Sequence, residues 1–81
     1  MDEKAKQIVK EYMDGMYSYV RDDDIYIVWK CKTLQNWKWL ISSEYPDHMY
    51  YEVTYNGDKA EFYLDCYKKL ANKVVHMDKF N

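Results

Sequence analysis

The dipeptide Asn56-Gly57 sits between two runs that alternate apolar and polar residues, about 49–55 and 58–64. Asn and Gly both tolerate left-handed backbone, so the pair predicts a two-residue turn joining two antiparallel strands. Such a turn sets the register. It places Val53 opposite Ala60, Tyr51 opposite Phe62 and Met49 opposite Leu64 on one face, with Tyr50 opposite Tyr63 and Glu52 opposite Glu61 on the other. Like charges directly across a strand pair repel, so a lysine from a neighbouring strand is expected to relieve Glu52 and Glu61.

Upstream, "WKCKTLQNWKWL" interleaves three tryptophans with three lysines. Successive strand residues point to opposite faces, so rings and lysines that alternate in sequence separate in space. Pairing Ile27 with Ile41, Trp29 with Trp39 and Cys31 with Trp37 gathers the large apolar residues, except Val28 and Leu40, on one face of strands at about 25–32 and 36–43. The loop is then Thr33 to Gln35. Tyr26, Val28, Lys30, Lys38 and Leu40 fall on the opposite face. Pro46 marks a turn between the two hairpins.

Two helices are expected to flank the strands. Ala5, Ile8, Val9, Tyr12 and Met13 recur at helical spacing in about 3–14, with Asp2 as cap and Gly15 as a left-handed stop. A second helix, about 66–76, is capped by Asp65 and carries Tyr67, Leu70, Ala71 and Val74 as its apolar stripe. "MYSYVRDDD" reads as a connection whose rings Tyr17 and Tyr19 fold back, ending in an acidic turn. The expected fold is α+β: one domain over residues 1–81, a two-layer sandwich in which a four-stranded antiparallel sheet carries both helices on one face, in the order α-β-β-β-β-α.

Eighty-one residues hold one core only, and aromatics at 19% let a few rings fill it. The net charge of −2 offers no general attraction for phosphate backbones or anionic membranes. No apolar run is long enough to cross a membrane and no signal peptide is evident, so a cytoplasmic protein is expected. Cys31 and Cys66 form no CxxC pair and both fall in register with core positions, which predicts two buried thiols.

The residues point to no catalytic group, cofactor site or metal site. Cys31, Cys66, His48 and His76 lack zinc-ligand spacing, and "RDDDI" lacks the glycine and late glutamate of a calcium loop. Ser18, Ser42, Ser43, Thr33 and Thr54 have no elbow-like turn to present a nucleophile, and Gly15 and Gly57 alone make no phosphate-cradling loop. The open sheet face is the remaining candidate. Tyr26, Val28, Leu40, Tyr50 and Tyr63, rimmed by Lys30, Lys38, Glu52 and Glu61, have the make-up of a protein interface core, for a protein partner or a homodimer. The alternative is a single-stranded nucleic-acid binder that stacks bases on the tyrosines and holds phosphates with Lys30, Lys32 and Lys38.

The strings "WKCKTLQN" and "YYEVTYNGDK...YLDCYKK", within about Ile25 to Lys69, resemble a small family of unknown function encoded by phages and prophages of low-GC Gram-positive bacteria. The resemblance implies an accessory protein acting inside a bacterial host cell. It implies no site residues.

Overall fold

The computed structural model describes residues 1–17 and 20–80; Ser18 and Tyr19, both named above, lie outside the described residues, so the expected folding back of Tyr19 lies outside them too. One helix, α1 (Asp2–Asp14), is followed by four strands: β1 (Ile25–Thr33), β2 (Asn36–Ser43), β3 (Met49–Asn56) and β4 (Glu61–Lys68). They form one antiparallel sheet in the order β1-β2-β3-β4, each strand beside its neighbours in sequence. Class and strand count agree with the sequence-based expectation; the second helix does not appear. Residues 66–68 belong to β4, and 69–76 are neither helix nor strand.

Helix α1 forms where the three-and-four spacing predicts it, and it buries Ala5, Val9 and Met13 against the sheet. Met1, not Asp2, occupies the capping position, and Gly15 ends the helix in the right-handed region, at φ −72°. The Asp2 carboxylate has another use. It accepts hydrogen bonds from the buried Trp39 indole Nε1 at 2.9 Å and from Lys30 Nζ at 2.7 Å, fastening the first helical turn to β1 and β2. The core is completed by Val20, Ile25, Ile41, Tyr51 and Val53.

Tyr17 does fold back. Its ring stacks on Tyr45 with centroids 4.7 Å apart, and its hydroxyl donates to Asp47 Oδ2. The acidic stretch Asp22–Asp24 forms one 3-10 turn, closed by the Arg21 amide donating to the Asp24 carboxylate at 3.2 Å.

Both hairpins depart from their expected registers. In the first, Ile27 faces Ile41 as expected, but a bulge between Ile27 and Trp29 then moves the pairing by one: Trp29 faces Leu40, Lys30 faces Trp39 and Cys31 faces Lys38. The loop shortens to Leu34-Gln35, with Leu34 at φ 56°. Past a bulge every side chain changes face. Trp29 and Cys31 therefore leave the helix side, where Lys30 and Lys32 replace them; Lys32 Nζ sits 5.4 Å from the centre of the Trp37 ring.

In the second hairpin Asn56 pairs with Glu61 across a four-residue loop, so Val53 faces Leu64, Tyr51 faces Cys66 and Met49 faces Lys68. The shift is even, which keeps each residue on its expected face while changing its partner. Asn56 does not enter a two-residue turn; its side-chain oxygen accepts from the amides of Asp58 and Lys59, and Ala60 takes the left-handed backbone, at φ 53°. Gly57 is required for space. A Cβ there would lie 2.4 Å from the Gln35 carbonyl oxygen, because the two hairpin turns pack together, with the Gly57 amide donating to Asn36 Oδ1 at 3.0 Å and Gln35 Nε2 donating to Asp58 Oδ1.

Candidate functional site

With α1 on one face, the other is open. β1 contributes Tyr26, Trp29 and Cys31 to it, β2 Lys38 and Leu40, β3 Tyr50, Glu52 and Thr54, and β4 Glu61, Tyr63, Asp65 and Tyr67. Val28 occupies the bulge and is also exposed. The large apolar groups Tyr26, Val28 and Trp29 on the β1 edge and Tyr63 and Tyr67 on the β4 edge are each between 43% and 52% exposed.

Of the nine residues singled out from sequence, eight lie at this face: Tyr26, Val28, Leu40, Tyr50, Tyr63, Lys38, Glu52 and Glu61. Lys30 does not. The bulge turns it to the helix side, where it bonds Asp2. Tyr50 and Tyr63 share the face but not a pair, since Tyr50 faces Tyr67 and Tyr63 faces Thr54. Glu52 lies opposite Asp65 instead of Glu61, and the expected relief is present: Lys38 Nζ approaches Glu52 Oε1 to 3.5 Å. Glu61 accepts from the Tyr63 hydroxyl at 2.7 Å, a bond that holds the Tyr63 phenol in its neutral form and raises its pKa.

Trp29, Cys31, Asp65 and Tyr67 are the members sequence reasoning missed. One signal was available. Val28 and Leu40 are the two residues that a straight pairing leaves unexplained, and the bulge resolves both by setting Trp29 directly across from Leu40. Beside them, Trp29, Cys31, Thr33, Asn36, Lys38 and Thr54 help line a shallow, mainly apolar hollow of 360 Å³.

Lysines are scarce here. Of the three invoked for phosphate, Lys30 and Lys32 point to the helix side and Lys38 is paired with Glu52. Both thiols are free; Cys31 is exposed, which corrects its expected burial, and Cys66 is half-buried on the helix side. Among the described residues no three of His, Cys, Asp and Glu come together in a way that would hold a metal ion, and no helix is long and apolar enough to cross a membrane.

An α+β domain with a single helix packed on one face of a four-stranded meander, and an aromatic face left open, is the class that this geometry defines. Residues 2–77 match the model of a family of unknown function, DUF6275, and the chain belongs to that family. Neither a curated protein nor a solved structure matches it.

Proposed function

We propose that the protein is a non-catalytic binding module that engages another protein through the open face of its sheet, as an accessory protein of a phage or prophage in the cytoplasm of its bacterial host. The observation that carries this reading is the bulge at Val28, which sets Trp29 against Leu40 on the solvent side instead of in the core. A bulge re-aims side chains, and here it leaves Trp29 44% exposed on the open face where an unbroken pairing would have put it on the helix side. Trp and Tyr on a rigid strand surface are the side chains that anchor protein interfaces, and the charged rim of Lys38, Glu52, Glu61 and Asp65 has both signs, as such rims do. The lysine placement favours a protein over a nucleic acid, because Glu52, Glu61 and Asp65 on the same face repel phosphate. The setting rests on the resemblance in "WKCKTLQN" and "YYEVTYNGDK".

The test is Trp29→Ser with Tyr63→Ser, two exposed positions whose change leaves the core intact. Host proteins retained by the wild-type chain and identified by mass spectrometry are expected to be lost with the double variant, while the far-ultraviolet circular dichroism stays the same. Retention of the same proteins by both chains would refute the reading.

A further inference from the structure

A sheet of four strands ends in two edges, β1 and β4, and the two are not alike. Successive residues of an antiparallel strand aim their amide and carbonyl groups alternately at one side and the other. In β4 the phase is fixed at its far end, where the Lys69 amide donates to the carbonyl of His48, directly opposite, at 2.6 Å. Glu61, Tyr63, Asp65 and Tyr67 therefore bond β3. Phe62, Leu64, Cys66 and Lys68 turn their amides and carbonyls outward, with no backbone partner among the described residues. The register of β4 with β3 runs unbroken from Glu61 to Lys68, and the strand holds no proline. The β1 edge is guarded. Its outward row is interrupted by the bulge at Val28, with Lys30 and Lys32 beyond it, two devices that keep an edge from pairing.

We propose that β4 pairs antiparallel with β4 of a second copy of this chain, about a two-fold axis at Leu64, so that the two sheets join edge to edge. The occupant follows from the edge itself. A two-fold that sets one β4 against another keeps both helix sides on the same side of the joined sheet. It therefore pairs each residue with one of the same face, and outward-bonding residues with outward-bonding residues. With the axis at Leu64, that residue meets its own copy and Phe62 meets Cys66 on the helix side, where all three are only half-buried in the single chain. On the open side Tyr63 meets Asp65 and Glu61 meets Tyr67, so each carboxylate lies across from a phenol and no like charges oppose. An axis one residue away loses this. At Tyr63 it sets Glu61 against Asp65, and at Asp65 it sets that carboxylate against its copy. The edge thus rejects like charges in the adjacent registers and accepts itself in one. Pairing β4 with β1 of another copy is a head-to-tail contact that does not close, and the bulge denies it a regular partner strand. The pairing does not depend on what the open face binds.

Light scattering on the full-length chain over a concentration series should give twice the chain mass. Leu64→Pro removes an amide that β3 does not use, so the sheet signal should remain while the mass falls to that of one chain. A second measurement needs no proline and reads the register. In a chain with Cys31→Ser, Cys66→Ser, Glu61→Cys and Tyr67→Cys, the two thiols lie at opposite ends of one strand, about 20 Å apart, and cannot close on each other. In the dimer position 61 of each copy faces position 67 of the other. Diamide, by taking two electrons and two protons from each facing pair of thiols, should join them into covalent dimers on a non-reducing gel. Chains with only one of the two thiols should stay single. A wild-type chain that is monomeric, a folded Leu64→Pro chain that stays dimeric, or a two-thiol chain that cross-links no faster than the one-thiol chains would overturn the proposal. Trp29→Ser should leave the mass unchanged; a monomeric Trp29→Ser chain would mean that the copies meet through the open face, and would also overturn it.

Discussion

Replacing Asp2 by Ala tests how α1 is fastened to the sheet. The carboxylate accepts from Trp39 Nε1 at 2.9 Å and from Lys30 Nζ at 2.7 Å, and the two bonds differ in what their loss costs. Trp39 is fully buried, so its orphaned indole N–H forfeits about 1–3 kcal/mol. Lys30 is half in solvent and returns to water, so that pair contributes at most about 1 kcal/mol. With a urea dependence near 1 kcal/mol per molar for a small domain, Asp2→Ala should lower the unfolding midpoint by roughly 2 M. Lys30→Met should lower it by less than about 1 M. Acid should narrow the difference without closing it, because a protonated carboxyl still accepts from the Trp39 indole. The bonds to Lys30 and Trp39 hold the folded-state pKa of Asp2 below its ordinary value of 3.8, so the charge-linked part of its contribution is complete above that value and fades as the pH falls through the folded pKa. Urea titrations followed by tryptophan fluorescence at neutral pH and near pH 2 check both statements. Equal midpoints for Asp2→Ala and Lys30→Met at neutral pH would refute the reasoning.

Other outcomes follow from the same geometry. Tyr51→Phe removes a buried hydroxyl that has no hydrogen-bond partner and should raise stability by about 1 kcal/mol in a urea titration. Tyr17→Phe should cost about 1 kcal/mol at neutral pH. The Asp47 carboxylate beside it pushes the Tyr17 phenol up to about 12, so that cost should be complete below pH 10 and diminish between pH 10 and 12, as stability curves of the two chains would record. Gly57→Ala drives a methyl group into the Gln35 backbone and should destabilise by about 1–3 kcal/mol, read as a lower melting temperature. Under native conditions Cys31 should react with iodoacetamide well before Cys66, as peptide mass mapping would show; the reverse order would mean that β1 carries no bulge.

What the sequence reveals here is parity, and what it hides is register. Tyr51 and Phe62 lie on the helix side, and Tyr50 and Tyr63 on the open side, because a period of two survives any even slip. The slip came from the loop. Asn56 spends its side chain on the amides of Asp58 and Lys59, which lengthens the turn and moves each β3 partner four residues further along the chain. That shift also removes the second helix, since pairing Tyr50 with Tyr67 and Met49 with Lys68 draws its first turn into β4 and leaves a remainder too short to be helical alone. In β1 an odd slip does what an even one does not: it exchanges Trp29 for Lys30, and one residue of a nine-residue strand redefines the candidate site.

The two hairpin turns, joined through Asn36, Gly57, Gln35 and Asp58, lie at the same end of the sheet, and the β2–β3 connection lies at the other. Strand separation starting from the turn end would have to break both hairpins at once. Opening should start instead at the exposed Pro46 corner between β2 and β3, so amide hydrogens there should exchange with deuterium sooner than those of Lys32, Asn36 and Glu61. Seen this way the sheet is a hinge closed at one end. Whatever slides over its open face would meet its most yielding backbone at the end where β2 turns into β3.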